Sequence, residues 1–212
     1  YLFRALEANQ QVVSMLIGVG FLRIFAAANI QSGERLPSGR KALVRTLLGA
    51  HLFGSVINMS SVVIIGDRIA SQSRLTPVQG LLLVRAFCIC AFWSPFFAAM
   101  GLTLVSSPGS QLSTLILYGL PISAIAIALS AWEIIRAPGA TQMTGYPMAI
   151  SSLWMPCLLA SLVMTAHTIW PAVSVLTFVT LIALSFMLIW LLVQHGRQGL
   201  HIFTQHIESG IA

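Results

Sequence analysis

Charge is scarce in this sequence. Of its 212 residues only 8% are charged, and five are acidic. A soluble domain carries roughly 25% charged residues, and so few charges cannot cover a water-facing surface. A soluble domain of any size is therefore excluded. Cysteine is nearly absent as well: Cys88, Cys90 and Cys157 all lie in apolar runs and read as small buried hydrophobes. Cys88-x-Cys90 has neither the partners of a zinc site nor the spacing of a redox pair. Walker and HExxH motifs are missing. No Ser/His/Asp constellation and no pair of aspartates falls at membrane depth, so an enzyme is not expected. No basic stretch leads into a short apolar core and a small-residue cleavage site, so no signal peptide is visible. The chain starts at Tyr1 rather than Met, which fits part of a longer protein.

What the sequence does have is apolar length. It is 57% hydrophobic with a mean hydropathy of +0.90, and several runs reach the roughly 20 residues that cross a bilayer. Six segments stand out: A, Val12–Ile30; B, Leu47–Gly66; C, Val78–Val105; D, Leu112–Ile135; E, Ile150–Ile169; F, Pro171–Val193. They are hydrophobic all round, as expected of buried or lipid-facing helices. Trp132, Trp154, Trp170 and Trp190 sit at segment ends, where an apolar ring with a wet N–H anchors a span. Small residues at Ala124/Ala128 and Ala126/Ser130 predict close helix packing in D. The polar tail 194–212, with His195, His201 and His206, reads as solvated or interfacial. The expected fold is all-α: one membrane domain over 1–212, a polytopic transmembrane helix bundle.

The charges do not fit six simple crossings. If all six segments cross, Arg35, Arg40, Lys41 and Arg45 stand against Arg4, Arg68, Arg74, Arg136 and Arg197, four against five. The positive-inside rule then gives no orientation. If B instead enters and returns, Arg35, Arg40, Lys41, Arg45, Arg68, Arg74, Arg136 and Arg197 share one side and only Arg4 lies opposite, eight against one. This predicts about five spans plus one re-entrant hairpin near residues 46–68.

The interior of B agrees. Ser55, Asn58, Ser60 and Ser61 form a polar centre flanked by Gly49, Gly54 and Gly66. Two half-helices of about ten residues would put Ser55 to Ser61 at the tip, near mid-membrane. Broken backbone at that depth must be buried in protein or line a cavity. The alternative is an ordinary span whose Ser and Asn bond neighbouring helices. Segment C, at ~1.5 Å per residue, would reach about 40 Å as one helix. Trp93-Ser94-Pro95 stands near its middle, and Pro95 places a kink or break there. Two interrupted segments in succession point to a substrate site in a secondary transporter.

Ionisable groups at membrane depth are functional suspects, because a charge there costs roughly 2.5 kcal/mol or more. Arg85 is a candidate anion contact or a snorkelling cation. Arg23 has no acidic neighbour in sequence. His51 is a candidate proton relay or a neutral structural histidine. Glu133 and Arg136 are placed to pair at the interface, and Asp67 and Arg68 to close the hairpin. No Asp or Glu lies mid-span, which favours serine, asparagine and backbone groups as ligands for sodium or an oxyanion.

The Gly39-Arg40-Lys41 loop, the hairpin with Asn58-Met59-Ser60-Ser61 and the break at Ser94-Pro95 together resemble the ion transporter superfamily of arsenite permeases, sodium/proton antiporters and sodium-coupled citrate and dicarboxylate carriers. The resemblance covers Arg40 to Val105. It implies that Asn58, Ser60 and Ser61 match the hairpin tip, and Ser94 and Pro95 the unwound helix, that hold ion and substrate. Asn-Met-Ser-Ser replaces the carriers' Ser-Asn-Thr. Those families carry two inverted repeats and only one such unit is found here, so the chain corresponds to about half a transporter. The expected function is secondary active transport of a small anion or ion across the cytoplasmic (inner) membrane by alternating access. The expected site is Ser55, Asn58, Ser60, Ser61, Ser94, Pro95 and Arg85, with His51 as proton relay. Sodium or a proton is the coupling ion, and no cofactor or metal is called for. Expected partners are the lipid bilayer, a small anionic substrate or ion, and a second copy or a missing second half. Nucleic acid is not among them. The competing reading is a non-transporting membrane scaffold or subunit.

Overall fold

The computed structural model describes residues 2–28, 35–107, 109–146 and 154–211, except for the side chains of 2–9, 23, 26–28, 197 and 206–211. Among these the chain is all-helical, with no strand. In order, the helices are α1 (Leu2–Ala28), α2 (Arg40–Ile57), α3 (Ser60–Ala70), α4 (Pro77–Ile89), α5 (Ala98–Ser106), α6 (Leu112–Arg136), α7 (Trp154–Ile169), α8 (Val175–His195) and α9 (Arg197–Ile211). A single 3-10 turn, Cys90–Phe92, follows α4. Two helices, α6 and α8, are long and apolar enough to cross a membrane. Much of α6 faces outward with apolar groups: Leu117, Ile125 and Leu129 are each more than 60% exposed.

Segment B is two helices. The chain turns at Asn58-Met59, and α3 folds back along α2: a Cβ added to Gly54 would lie 2.8 Å from Ser61 Oγ. In a straight helix, positions seven apart are about 10 Å distant. Glycine at 54 is what lets the arms close. The arms differ from the expected two of ten residues. The first has 18 residues and begins at Arg40, absorbing the Gly-Arg-Lys loop; the second has 11 and runs on to Ala70. Arginine and lysine are good helix formers, and nothing after Gly39 stops the helix from starting before the apolar run. Segment C breaks as well, but earlier than Pro95. The α-helix gives way at Cys90, and residues 93–97 are non-helical. A proline displaces the carbonyls of the preceding turn as well as its own N–H, so the disruption spreads toward the N-terminus.

The two flanks of the hairpin meet at one end of the molecule. The Leu36 amide donates to Gln72 Oε1 at 2.9 Å. Ser38 bridges Thr144, and the Gly39 and Gly145 amides donate across the same two strips of chain, to Met143 and Pro37 respectively. Thr144 also meets Ser73 Oγ at 2.9 Å and accepts from Gln79 Nε2 at 2.6 Å. Gln79 belongs to the start of α4, where Thr76 and Gln79 form a capping box with Pro77 in the first turn, a strong helix start. The linkers 35–39, 71–76 and 137–146 are thus knitted together, and Arg35, Arg40, Lys41, Arg45, Arg68, Arg74 and Arg136 lie in or next to them. The opposite end gathers the starts of α6 and α8 with the ends of α5 and α7. It carries no Lys or Arg among the described side chains.

The helices enclose two apolar clusters. One joins α1, α7 and α8 with Phe53, Val56 and Ile57 of α2 and Phe96 of the break. The other joins the first half of α2 with α3, α4, the end of α6 and Ala140. The hairpin's arms belong to the second cluster and its tip reaches the first. Segment F begins as a helix later than expected, at Val175; the expected start of segment E, Ile150, lies in the stretch 147–153 outside the described residues. The tail is helical too. After a turn at Gly196, α9 folds back, and Phe203 lies 5.0 Å from Phe21 of α1. Cys88 and Cys157 are exposed on the bundle, and only Cys90 is buried. A thiol is apolar enough to face other helices or lipid equally well.

Candidate functional site

The hairpin tip and the helix break are bonded to each other. Asn58 Nδ2 donates to the Phe96 carbonyl at 3.2 Å. Ser94 Oγ donates to the Ser55 carbonyl in a short contact, and accepts from the Phe96 amide at 3.2 Å. Ser94 and Phe96 are fully buried. The freed backbone of the break therefore finds its partners on the hairpin, as backbone away from water must. Ser55 Oγ turns back to the Leu52 carbonyl at 2.7 Å, and Ser61 Oγ to the Asn58 carbonyl at 2.9 Å. Ser60 opens α3 beside the turn and Pro95 is buried in the break. Of the expected residues, Ser55, Asn58, Ser60, Ser61, Ser94 and Pro95 thus come together.

Asn58 carries the strain of the turn. With φ 61° and ψ −145° it is the one non-glycine residue at positive φ among the described residues. That region is nearly reserved for glycine, and a side chain there costs of order 1–3 kcal/mol. Such a residue persists only where its surroundings hold it.

Beneath the tip lies a second polar layer. His51, buried on α2, has Nδ1 3.0 Å from the Ala86 carbonyl on α4. Trp93 Nε1 lies 3.0 Å from its Nε2. An indole N–H can only donate, so Nε2 must accept and the proton sits on Nδ1, which donates to Ala86. Ser123 Oγ of α6 approaches the same Nε2 at 3.3 Å. Cys90 Sγ is 3.2 Å from the His51 carbonyl. One neutral imidazole thus ties α2, α4, the break and α6 together. Nitrogen-15 NMR of the His51 ring at neutral pH is expected to show a protonated Nδ1 and a bare Nε2. A proton on Nε2 would refute the Trp93 bond.

Arg85 is engaged elsewhere. Its Nη1 meets Glu133 Oε2 at 2.6 Å, joining α4 to α6. Arg136, expected to pair with Glu133, instead lies 4.1 Å over the Trp132 ring. Asp67 is exposed on α3, and the Arg23 side chain lies outside the described residues. Trp154 and Trp190 sit edge-on to Phe25, at 5.7 and 5.3 Å, so these two rings pack on α1.

Several members were not singled out from the sequence: Trp93, Ser123 and, above all, Gly119. A Cβ at 119 would run into the Phe92 carbonyl, with the carbonyl carbon at 2.7 Å. The break lies directly on α6 there. The signal was present. Leu112, Gly119, Ser123, Ser130 and Ile134 are the buried residues of α6, and steps of seven and four mark one helix face. Of the two small-residue pairs expected to pack, Ala124/Ala128 is exposed, whereas Ala126 is half-buried and Ser130 buried. Set against family models, curated proteins and solved structures, the chain matches none.

Proposed function

We propose that this chain is a secondary active transporter, or half of one, that moves a small anion or ion across the cytoplasmic (inner) membrane by alternating access. In this reading α2–α3 is a re-entrant hairpin, the other helices make about five crossings, and the knitted, cation-rich end faces the cytoplasm. The observation that carries it is the hydrogen bonding of a strained hairpin tip, Asn58, to the unwound backbone of the next helix at Ser94–Phe96. Two adjoining discontinuous helices are how transporters build binding sites at mid-membrane. Strain stored at such a place is a pointer to function.

The likeness to the ion transporter superfamily supports the same assignment: Ser55, Asn58, Ser60, Ser61, Ser94 and Pro95 form the substrate and ion site. Because the tip and break bond each other, loading the site means exchanging those hydrogen bonds for bonds to the solute. Arg85, paired with Glu133, would act by releasing that carboxylate. His51, holding α2 to the break, would relay protons only by giving up Trp93. Sodium or a proton drives the cycle. The scaffold reading draws on the same completeness of internal bonding, since a packing element also satisfies its own polar groups.

Proteoliposomes separate these readings. Labelled succinate, citrate and sulfate are offered under an inward sodium or proton gradient. One of them is expected to accumulate. Asn58→Gly keeps the turn and removes the amide donor, and should abolish uptake in a folded protein. In parallel, single cysteines at Ser38 and Gln72 should react with an impermeant thiol reagent from the same face. Labelling from opposite faces, with no accumulation of any probe, would sink the proposal.

A further inference from the structure

The end of the bundle opposite the cations holds a cleft of about 670 Å³. Its polar lining is Gln11, Ser110, Gln111, Ser113, His167 and Ser174. These side chains come from α1, from α7 and from the starts of α6 and α8. No Asp or Glu lines it among the described residues. Two polar atoms in this lining, His167 Nδ1 and Ser110 Oγ, are shut off from solvent and have no hydrogen-bond partner. A buried polar atom without a partner calls for an explanation, and an unseen ligand is one.

The backbone around the cleft favours one sign of charge. Gln111 and Ser174 are the N-cap residues of α6 and α8, and neither side chain caps its helix. The Ser174 hydroxyl is spent on Gln11 Oε1 at 3.0 Å. The first amides of two long helices, which have no partner within their own helix, therefore belong to the cleft wall together with the positive ends of two helix dipoles. The ends of α5 and α7 also lie here, but Thr103 and Ala166 have their carbonyls bonded by the Ser107 and Trp170 amides. An oxyanion is the ligand that uses amides, hydroxyls and an imidazole N–H together.

We infer that this cleft is an oxyanion-binding vestibule, with His167 Nδ1 and Ser110 Oγ as its side-chain donors. The inference stands beside the transport reading and extends it, supplying an entrance at the end that carries no basic side chain among the described residues. The occupant is a carboxylate or sulfate in solution, or the phosphate of a lipid headgroup.

The test is calorimetric titration of the full chain in phosphatidylcholine nanodiscs with succinate and with sulfate, at constant ionic strength. Saturable binding is expected. His167→Leu should weaken it about tenfold, the loss of one charge-assisted hydrogen bond, and His167→Asn, which restores a donor near Nδ1, should recover most of it. Nanodiscs containing phosphatidylglycerol distinguish the sources: competition with sulfate identifies a headgroup site, and its absence a solute site. No saturable binding of either probe, or binding that His167→Leu and Ser110→Ala both leave unchanged, overturns the inference. Normal titration in a chain that takes up no solute would leave the vestibule and remove the transporter; uptake without titration would do the reverse.

Discussion

Gly119→Val is expected to be among the most damaging single substitutions in this protein. The break at Phe92–Trp93 rests on the backbone of α6 at this glycine, and an added Cβ would collide with the Phe92 carbonyl group. That carbonyl is main chain, so no rotamer change can clear it. Overpacking a close contact costs typically about 1–3 kcal/mol, and here the upper end applies because two helices must separate. Separation would also pull Ser123 from His51 and Trp93 from its acceptor. A fall of roughly 10 °C in the melting temperature in detergent follows, with Gly119→Ala smaller in the same direction. Stability unchanged to within about 2 °C would mean that the break does not lie on α6.

The second large effect is at His51. His51→Ala leaves the Trp93 indole N–H with no acceptor but Ser123 to turn to, leaves the Cys90 thiol as the side-chain donor to the Ala86 carbonyl, and opens a cavity between α2 and α4. Cavity and unpaired groups together cost about 2–4 kcal/mol. His51→Gln carries a carbonyl oxygen near the position of Nε2 and keeps an acceptor for Trp93, so it should lose less. The order wild type, His51→Gln, His51→Ala in thermal unfolding is the diagnostic result. In a double-mutant cycle with Trp93→Phe, the coupling isolates the His–Trp bond. Equal losses for Gln and Ala would mean that the imidazole only fills space.

Much of this arrangement was readable from residue types. The cluster Ser55-Asn58-Ser60-Ser61, set among glycines, marked the turn, because polar residues at the centre of an apolar run make poor lipid-facing surface. Pro95 marked the break. The charge count gathered both flanks of α2–α3 on one side, and the structure ties Leu36 to Gln72. Less legible was anything decided by contact between distant parts of the chain. Arg85 and Glu133 are 48 residues apart, and sequence proximity favoured Arg136 instead. His51 read first as a structural histidine and second as a proton relay, but its partner Trp93, 42 residues on, could not be named from the sequence. The spacing along α6 marked the face on which Gly119 lies, but not that a backbone from another part of the chain rests against it. The start of α2 was misplaced because hydropathy marks where a chain is apolar, whereas helix formation follows backbone propensity and continues through Arg40, Lys41 and Arg45.

The partnership of α1 with α8 bears on how the protein is made. The first helix lies along the last long one: Gln11 is bonded to Ser174, Gly18 sits against Thr180, and Phe25 meets Trp190. Met15, Val19 and Leu22 are buried in the cluster that α8 completes. During synthesis α1 emerges ahead of α8, and this main neighbour arrives some 160 residues later. At about 5–20 residues per second, the ribosome leaves that apolar face waiting for roughly ten to thirty seconds. The hairpin, the break and α6 are complete in the meantime. This bundle therefore closes last on the helix that it made earliest, and a chain that stops short of Val175 would hold its central layer while α1 remained without a wall.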